Sequence, residues 1–154
     1  MSSAANAVYS TEVALRWSDM DAYGHVNNVQ YLRLLEDARI SAFDAWFGAE
    51  GGESMLDSGV IVARQEIEYV RPAVYRREPL QIDMWVTSIG RASFGIGYEI
   101  RDPERVGDAL YARAQTTLAA FDLATERPRR LPATERAALE AHLGGPVAFR
   151  RANR

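Results

Sequence analysis

Apolar residues recur along this chain with two different spacings, and each change of spacing marks a change of element. Between residues 11 and 17, Val13, Leu15 and Trp17 alternate with other positions, which predicts a strand with one buried face. From 29 to 47 the period lengthens. Tyr31, Leu35, Ala38, Ala42 and Trp46 fall on one helical stripe, and Leu32, Phe43 and Phe47 widen it. A band that broad predicts a helix covered over much of its circumference, capped at its start by Asn27 or Asn28 and ended by Gly48, Gly51 and Gly52. Period-two patterning returns in 60–70, 80–89, 92–100 and 109–121, four strands with short connections that predict an antiparallel meander. Residues 133–143 then predict a short amphipathic helix, stopped by Gly144, Gly145 and Pro146.

The order is one strand, one long helix, four strands and a terminal helix. A helix of about 18 residues spans ~27 Å, close to the width of five strands spaced ~4.8 Å apart. A five-stranded antiparallel sheet can therefore curl around it, an α+β arrangement. The 154 residues suit a single domain over 11–143, with a loose leader at 1–10 and a peripheral tail at 144–154.

Composition narrows the chemistry. The net charge is −3, with eighteen arginines and no lysine, a poor footprint for nonspecific nucleic-acid binding. The absence of cysteine excludes disulfides, thiolate catalysis and cysteine-ligated zinc. His25 and His142 fall in different elements without metal-ligand spacing, so no metal site is expected. There is no Gly-x-Ser-x-Gly and no glycine-rich strand–turn–helix for nucleotide phosphates. No apolar run approaches the ~20 residues of a membrane span, and no basic-then-apolar leader opens the chain, so the expected location is the cytoplasm.

Candidate chemistry concentrates just ahead of the long helix. Asp19, Asp21, His25, Asn27 and Asn28 crowd into ten residues where helix N–H groups lack partners and partial positive charge accumulates. Such a place favours a bound anion or a developing oxyanion, with the backbone N–H groups of Val26 and Asn27 as the expected donors. Without further information the two aspartates equally suit hydrogen bonds within a tight loop. Glu36, Arg39 and the Arg33–Asp37 pair likewise suit salt bridges along the helix. Trp46, Phe47, Trp85, Phe94 and Tyr98 are read first as core.

The motif Asp19-x-Asp21-x-x-Gly24-His25-Val26-Asn27-Asn28-x-x-Tyr31, followed by Glu36 and Arg39, resembles the signature of hot-dog-fold acyl-CoA thioesterases of the 4-hydroxybenzoyl-CoA thioesterase branch. WSDMDAYGHVNNVQY is also similar to plant acyl-ACP thioesterases, and EYVRPAVYRREPLQI and GRASFGIGYEI resemble the family's strand segments. The resemblance implies a hot-dog fold, hydrolysis of an acyl-CoA or acyl-carrier-protein thioester, no cofactor, and a homodimer or homotetramer with substrate between protomers. It assigns Asp19 as nucleophile or general base, and places His25 in the catalytic set. The plant-type constellation is incomplete, because its asparagine position is Tyr23 here. Asp21, Tyr23, Asn28 and Tyr31 complete the expected substrate-binding set. Glu36 is the reserve base, as in another hot-dog branch. Arg71 and Arg91, with Arg76, Arg77, Arg129 and Arg130, are candidates for the CoA phosphates. Two other readings stay open: a dehydratase acting on hydroxyacyl thioesters, and a non-catalytic acyl-binding module.

Overall fold

A computed structural model describes residues 8–48 and 59–150. The elements are β1 (Tyr9–Val13), a single 3-10 turn (Trp17–Asp19), α1 (Asn28–Phe47), β2 (Val60–Tyr69), β3 (Leu80–Ile89), β4 (Ser93–Arg101), β5 (Leu110–Asp122), β6 (Arg127–Pro128) and α2 (Ala133–Glu140). The first strand is displaced from its expected span of 11–17. It begins at Tyr9, so part of the expected leader belongs to the sheet, and it ends at Val13. Its end has a local cause: the Asp19 carboxylate accepts the Arg16 N–H at 2.7 Å and curls the chain into the 3-10 turn. Trp17 consequently stands 79% exposed instead of sharing a buried face. At the other end of α1, Gly48 donates to the Asp44 carbonyl as a C-cap, while Gly51 and Gly52 lie outside the described residues.

The strands form an antiparallel sheet in the order β1-β3-β4-β5-β2, with the two-residue β6 added to β5. Only β3, β4 and β5 form the expected meander. β2 pairs with β5 instead of β3, because Val70 and Arg71 both donate to the Tyr111 carbonyl and hold the end of β2 there. Residues 70–79 then cross the start of α1, where Ala73 O accepts from Val26 N at 2.8 Å, before entering β3.

The inner face is apolar and close-packed. Leu80, Ile82, Met84 and Val86 of β3 and Phe94, Ile96 and Ile100 of β4 are at most 1% exposed, facing Leu34, Leu35, Ala38 and Ala42 of α1. Full burial of one such large side chain contributes about 1.5–3 kcal/mol. This is the hot-dog arrangement expected from the sequence, with α1 leaning toward one side of the sheet. Tyr9 Oη meets Ser41 Oγ at 2.6 Å, the Tyr9 ring packs edge-on against Trp46, and Phe43 meets Phe94. The inward positions of β2 are left open, with Val62 42% and Tyr69 47% exposed. Among the described residues no helix is long and apolar enough to cross a membrane.

The segment after α2 is part of the fold. Val86 N donates to His142 O and Gly144 N to Val86 O, both at 2.8 Å, so residues 142–144 occupy the β3 edge beyond β1. The Trp85 indole donates to Gly145 O at 2.7 Å, Val147 is buried, and Arg150 N reaches Glu68 on β2. A strap thus crosses the outer face where the tail was expected to be peripheral. Gly97 makes room for it, since a Cβ there would lie 2.7 Å from the Trp85 ring and 2.9 Å from Val147. Gly97→Val should therefore cost about 1–3 kcal/mol by overpacking. A lowered urea midpoint is the expected result, and an unchanged midpoint would show that the strap is not packed there.

Candidate active site

The loop between β1 and α1 is organised by a carboxylate that it fully encloses. Asp19 is 0% exposed, and each of its oxygens is engaged. Oδ2 accepts from Arg16 N at 2.7 Å and from Arg33 Nη2 at 2.8 Å, while Oδ1 takes the Arg16 guanidinium at 3.0 and 3.1 Å. Arg33 belongs to α1 and also pairs with Asp37 at 2.8 Å. Burial alone would raise the Asp19 pKa. The Arg16 N–H and guanidinium, together with the Arg33 charge, outweigh it and hold the carboxyl below its ordinary range. Asp19 is ionised, as a base must be, yet it offers no surface to a substrate.

Asp21 differs. Its backbone N–H donates to His25 O at 2.7 Å, its carbonyl accepts from Gly24, and Gly24 closes the turn at φ +76°. Oδ1 accepts from Tyr23 N at 2.8 Å and His25 N at 3.1 Å, whereas Oδ2 has no hydrogen-bond partner among the described residues. The side chain is half-buried at the loop surface. Two N–H groups thus orient a carboxylate whose second oxygen is open.

The helix start follows directly. Asn27 is the N-cap, its Oδ1 accepting from Val29 N at 3.1 Å. The two N–H groups expected to face an oxyanion are already used: Val26 N donates to Ala73 O and Asn27 N to Asp19 O, both at 2.8 Å. The next donor, Asn28 N–H, has no partner among the described residues. Asn28 O accepts from Tyr69 Oη at 3.2 Å, and Tyr31 Oη accepts from Ala73 N at 3.3 Å. The Tyr31 and Tyr69 rings meet edge to face at 5.2 Å, and burial raises the pKa of both hydroxyls. Sequence patterning did not single out Tyr69, the last residue of β2, or Ala73, which the crossing connection brings in.

Other candidates are dispersed. His25 lies within the loop, bridged through its backbone to Val74, and Tyr23 stands 85% exposed beside it. Glu36 is exposed on α1, eight residues or roughly 12 Å past Asn28. Arg71 and Arg77 are exposed on the connection that crosses the helix start, whereas Arg76 is held by Asp102 at 2.6 Å. Arg91 lies at the β3–β4 turn, the far end of a ten-residue strand roughly 30 Å long, and so is remote from the loop in its own chain. Arg129, paired with Glu135 at 2.8 Å, donates to Gly59 O, and Leu131 N donates to Arg91 O, placing Arg129 and Arg130 at that same end. Among the described residues no group of three acidic or histidine side chains is arranged to hold a metal.

Residues 15–140 match the profile of the Thioesterase-like superfamily. The chain is 31% identical over 135 residues to the long-chain acyl-CoA thioesterase FadM of Escherichia coli, covering 84% of this chain and 96% of FadM. A thioesterase from Thermus thermophilus, solved with coenzyme A and zinc, superposes with a TM-score of 0.74 at 25% identity over 95% of this chain and 99% of its own. A predicted thioesterase from Bacillus stearothermophilus gives a TM-score of 0.77 at 24% identity, over 90% and 98% of the two chains, a likeness of fold.

The Asp19 geometry generates a stability prediction. Asp19→Asn leaves two guanidinium groups without their buried counter-charge and should cost about 2–3 kcal/mol, since Arg16 can partly resolvate. A carboxyl with a depressed folded pKa contributes its stability above the unfolded value and loses it as pH falls through the folded one. The wild type should therefore weaken below about pH 4, and the variant should show a flatter acid limb in urea titrations. Equal stability of the two proteins at pH 7 would overturn this role.

Proposed function

Because this chain belongs to the Thioesterase-like superfamily, we propose that it hydrolyses acyl-CoA thioesters to the free acid and coenzyme A, with Asp21 as the acting carboxylate. One observation carries the assignment: Asp21 presents an oriented oxygen without a partner among the described residues, while the resemblance-based candidate, Asp19, has both oxygens enclosed by arginines. Asp21 either attacks the thioester carbonyl or takes a proton from the water that does; both need the ionised form and an open lone pair.

The oxyanion donor in this reading is Asn28 N–H, at the first position of α1, where the helix offers roughly half a positive charge. Such a donor typically contributes ~10²–10³ in rate. Asp19 acts through position, since its carbonyl and carboxylate hold the loop against the helix start. His25, tied to Asp21 through both backbone groups, is in this reading the side chain that contacts the thioester. Arg71 and Arg77, exposed beside the loop, are the candidates for CoA or carrier phosphate.

Asp21→Asn should lower thiol release from acyl-CoA by about two to four orders of magnitude while the protein stays folded. Glu36→Gln, on the exposed helix face, should stay within about threefold of wild type. Near-normal turnover in Asp21→Asn would remove the assignment. Conversion of the acyl chain without thiol release would indicate a dehydratase instead.

The second element of the proposal is self-assembly. β2 is a ten-residue edge strand with one side unpaired, and its inward face is open. Unpaired strand edges seek partners, and a second copy aligned on β2 makes one continuous sheet. Light scattering should return a dimer or tetramer at micromolar concentration, whereas a fully active monomer there would rule this out.

A further inference from the structure

One buried cation is used neither by the fold's ion pairs nor by the proposed hydrolysis. Arg39 on α1 is 8% exposed, and its Nη1 donates to Tyr98 Oη at 3.2 Å. Tyr98 is itself fully buried, remains a neutral phenol because burial raises its pKa, and also hydrogen-bonds Thr116. Thr116 Oγ1 continues to Gln65 Oε1 at 3.4 Å, on the exposed inner side of β2. Arg33, Arg76, Arg113 and Arg129 all meet carboxylates, but among the described residues no carboxylate lies within ion-pair distance of Arg39. A guanidinium stays charged at any working pH, and enclosing one without a counter-ion costs several kcal/mol. A carboxylate is its natural complement, in bidentate geometry.

The location says where that carboxylate comes from. Arg39 lies eleven residues beyond Asn28, roughly 16 Å along α1, and helical side chains lean back toward the N-terminus. Along β2, the inward-facing Gln65, Ile67 and Tyr69 cover roughly 13 Å from the polar cluster back to the Tyr31–Tyr69 pair at the reaction loop. The helix and the strand thus give comparable spans, roughly 13–16 Å, from the loop to the polar cluster that holds Arg39. Between them on the inner side of β2 stand Ile67, partly buried, and Tyr69, 47% exposed, so this end of the sheet is less closely covered than β3 and β4.

We propose that Arg39, backed by Tyr98, is the far end of the acyl site and binds a carboxylate at the end of the acyl group remote from the thioester. The preferred substrates are then CoA monothioesters of medium-length dicarboxylic acids, with on the order of seven to nine bonds between the two carbonyl carbons. This rests on the thioesterase reading and adds the substrate class.

The test compares kcat/KM for suberoyl-CoA and sebacoyl-CoA with that for octanoyl-CoA and decanoyl-CoA. The wild type should favour the dicarboxylic member of each length-matched pair by about tenfold or more. Arg39→Met should abolish or invert that ratio, Arg39→Lys should keep part of it, and Tyr98→Phe should reduce it several-fold. The ratio is the readout, so a general loss of activity does not mimic the effect. If Arg39→Met fails to fold, the wild-type ratio and Arg39→Lys still decide. Equal hydrolysis of both members by the wild type, or an unchanged ratio in Arg39→Met, overturns the proposal and leaves the thioesterase reading intact. Should no thioester be cleaved, that reading fails by itself. Calorimetric binding of suberoyl-CoA against octanoyl-CoA then reads the preference without turnover, and equal affinities overturn it.

Discussion

The enclosure of one carboxylate by two arginines is the constraint on which the candidate site depends. Asp19 joins the end of β1, the 3-10 turn and the first turns of α1, because Arg16 approaches from the strand side and Arg33 from the helix. An anion in that position is tolerable only with both cations present. With all three in place, the intervening loop has little freedom left. The Asp19 carbonyl then takes the Asn27 N–H, which fixes the N-cap and leaves the following N–H without a partner among the described residues. A buried, inert charge thereby sets the position of the exposed Asp21.

Much of the architecture was legible because periodicity is a direct imprint of burial. The stripe from Tyr31 to Trp46 and the alternation of β3 and β4 reappear as the two faces of the core. The partner of β2 was not legible, since it depends on where residues 70–79 cross, and neither alternation nor turn residues encode that. The site divided in the same way. Asp-x-Asp ahead of a helix located the loop, but the roles of the two carboxylates depend on Arg33, fourteen positions away, and on Ala73, farther still. Local sequence shows which groups are near one another. It does not show which lone pairs and N–H groups distant residues have already taken.

The two faces of the sheet follow different rules. The inner face is apolar along β3 and β4 and grades into Thr116, Gln65 and Tyr69 toward the β2 edge. The outer face carries charges in cross-strand pairs, with Asp83 against Arg101 at 2.6 Å and Arg113 between Glu68 and Glu99 at 3.6 Å from each. Small residues at Ala112, Ala114 and Ala120 keep β5 slim on the inside, and Gly97 keeps β4 flat on the outside for Trp85 and Val147. Asymmetry in side-chain volume thus decides where the sheet closes and where it stays open.

The pairing of β2 with β5 also sets a schedule for biosynthesis. Tyr69 meets Ala112 and Val60 meets Ala120, so each residue of β2 must wait for a partner made 43 to 60 positions later. At about 5–20 residues per second, a nascent β2 is without its neighbour for roughly 2–12 s. A bare hydrophobic strand held that long invites pairing with other chains. The sequence of β2 counters this in two ways: Arg64, Glu66 and Glu68 interrupt its apolar run, and the register shift between Val62 and Arg64 breaks its straight edge. The charges on this strand therefore protect the chain during synthesis as well as decorating the finished surface.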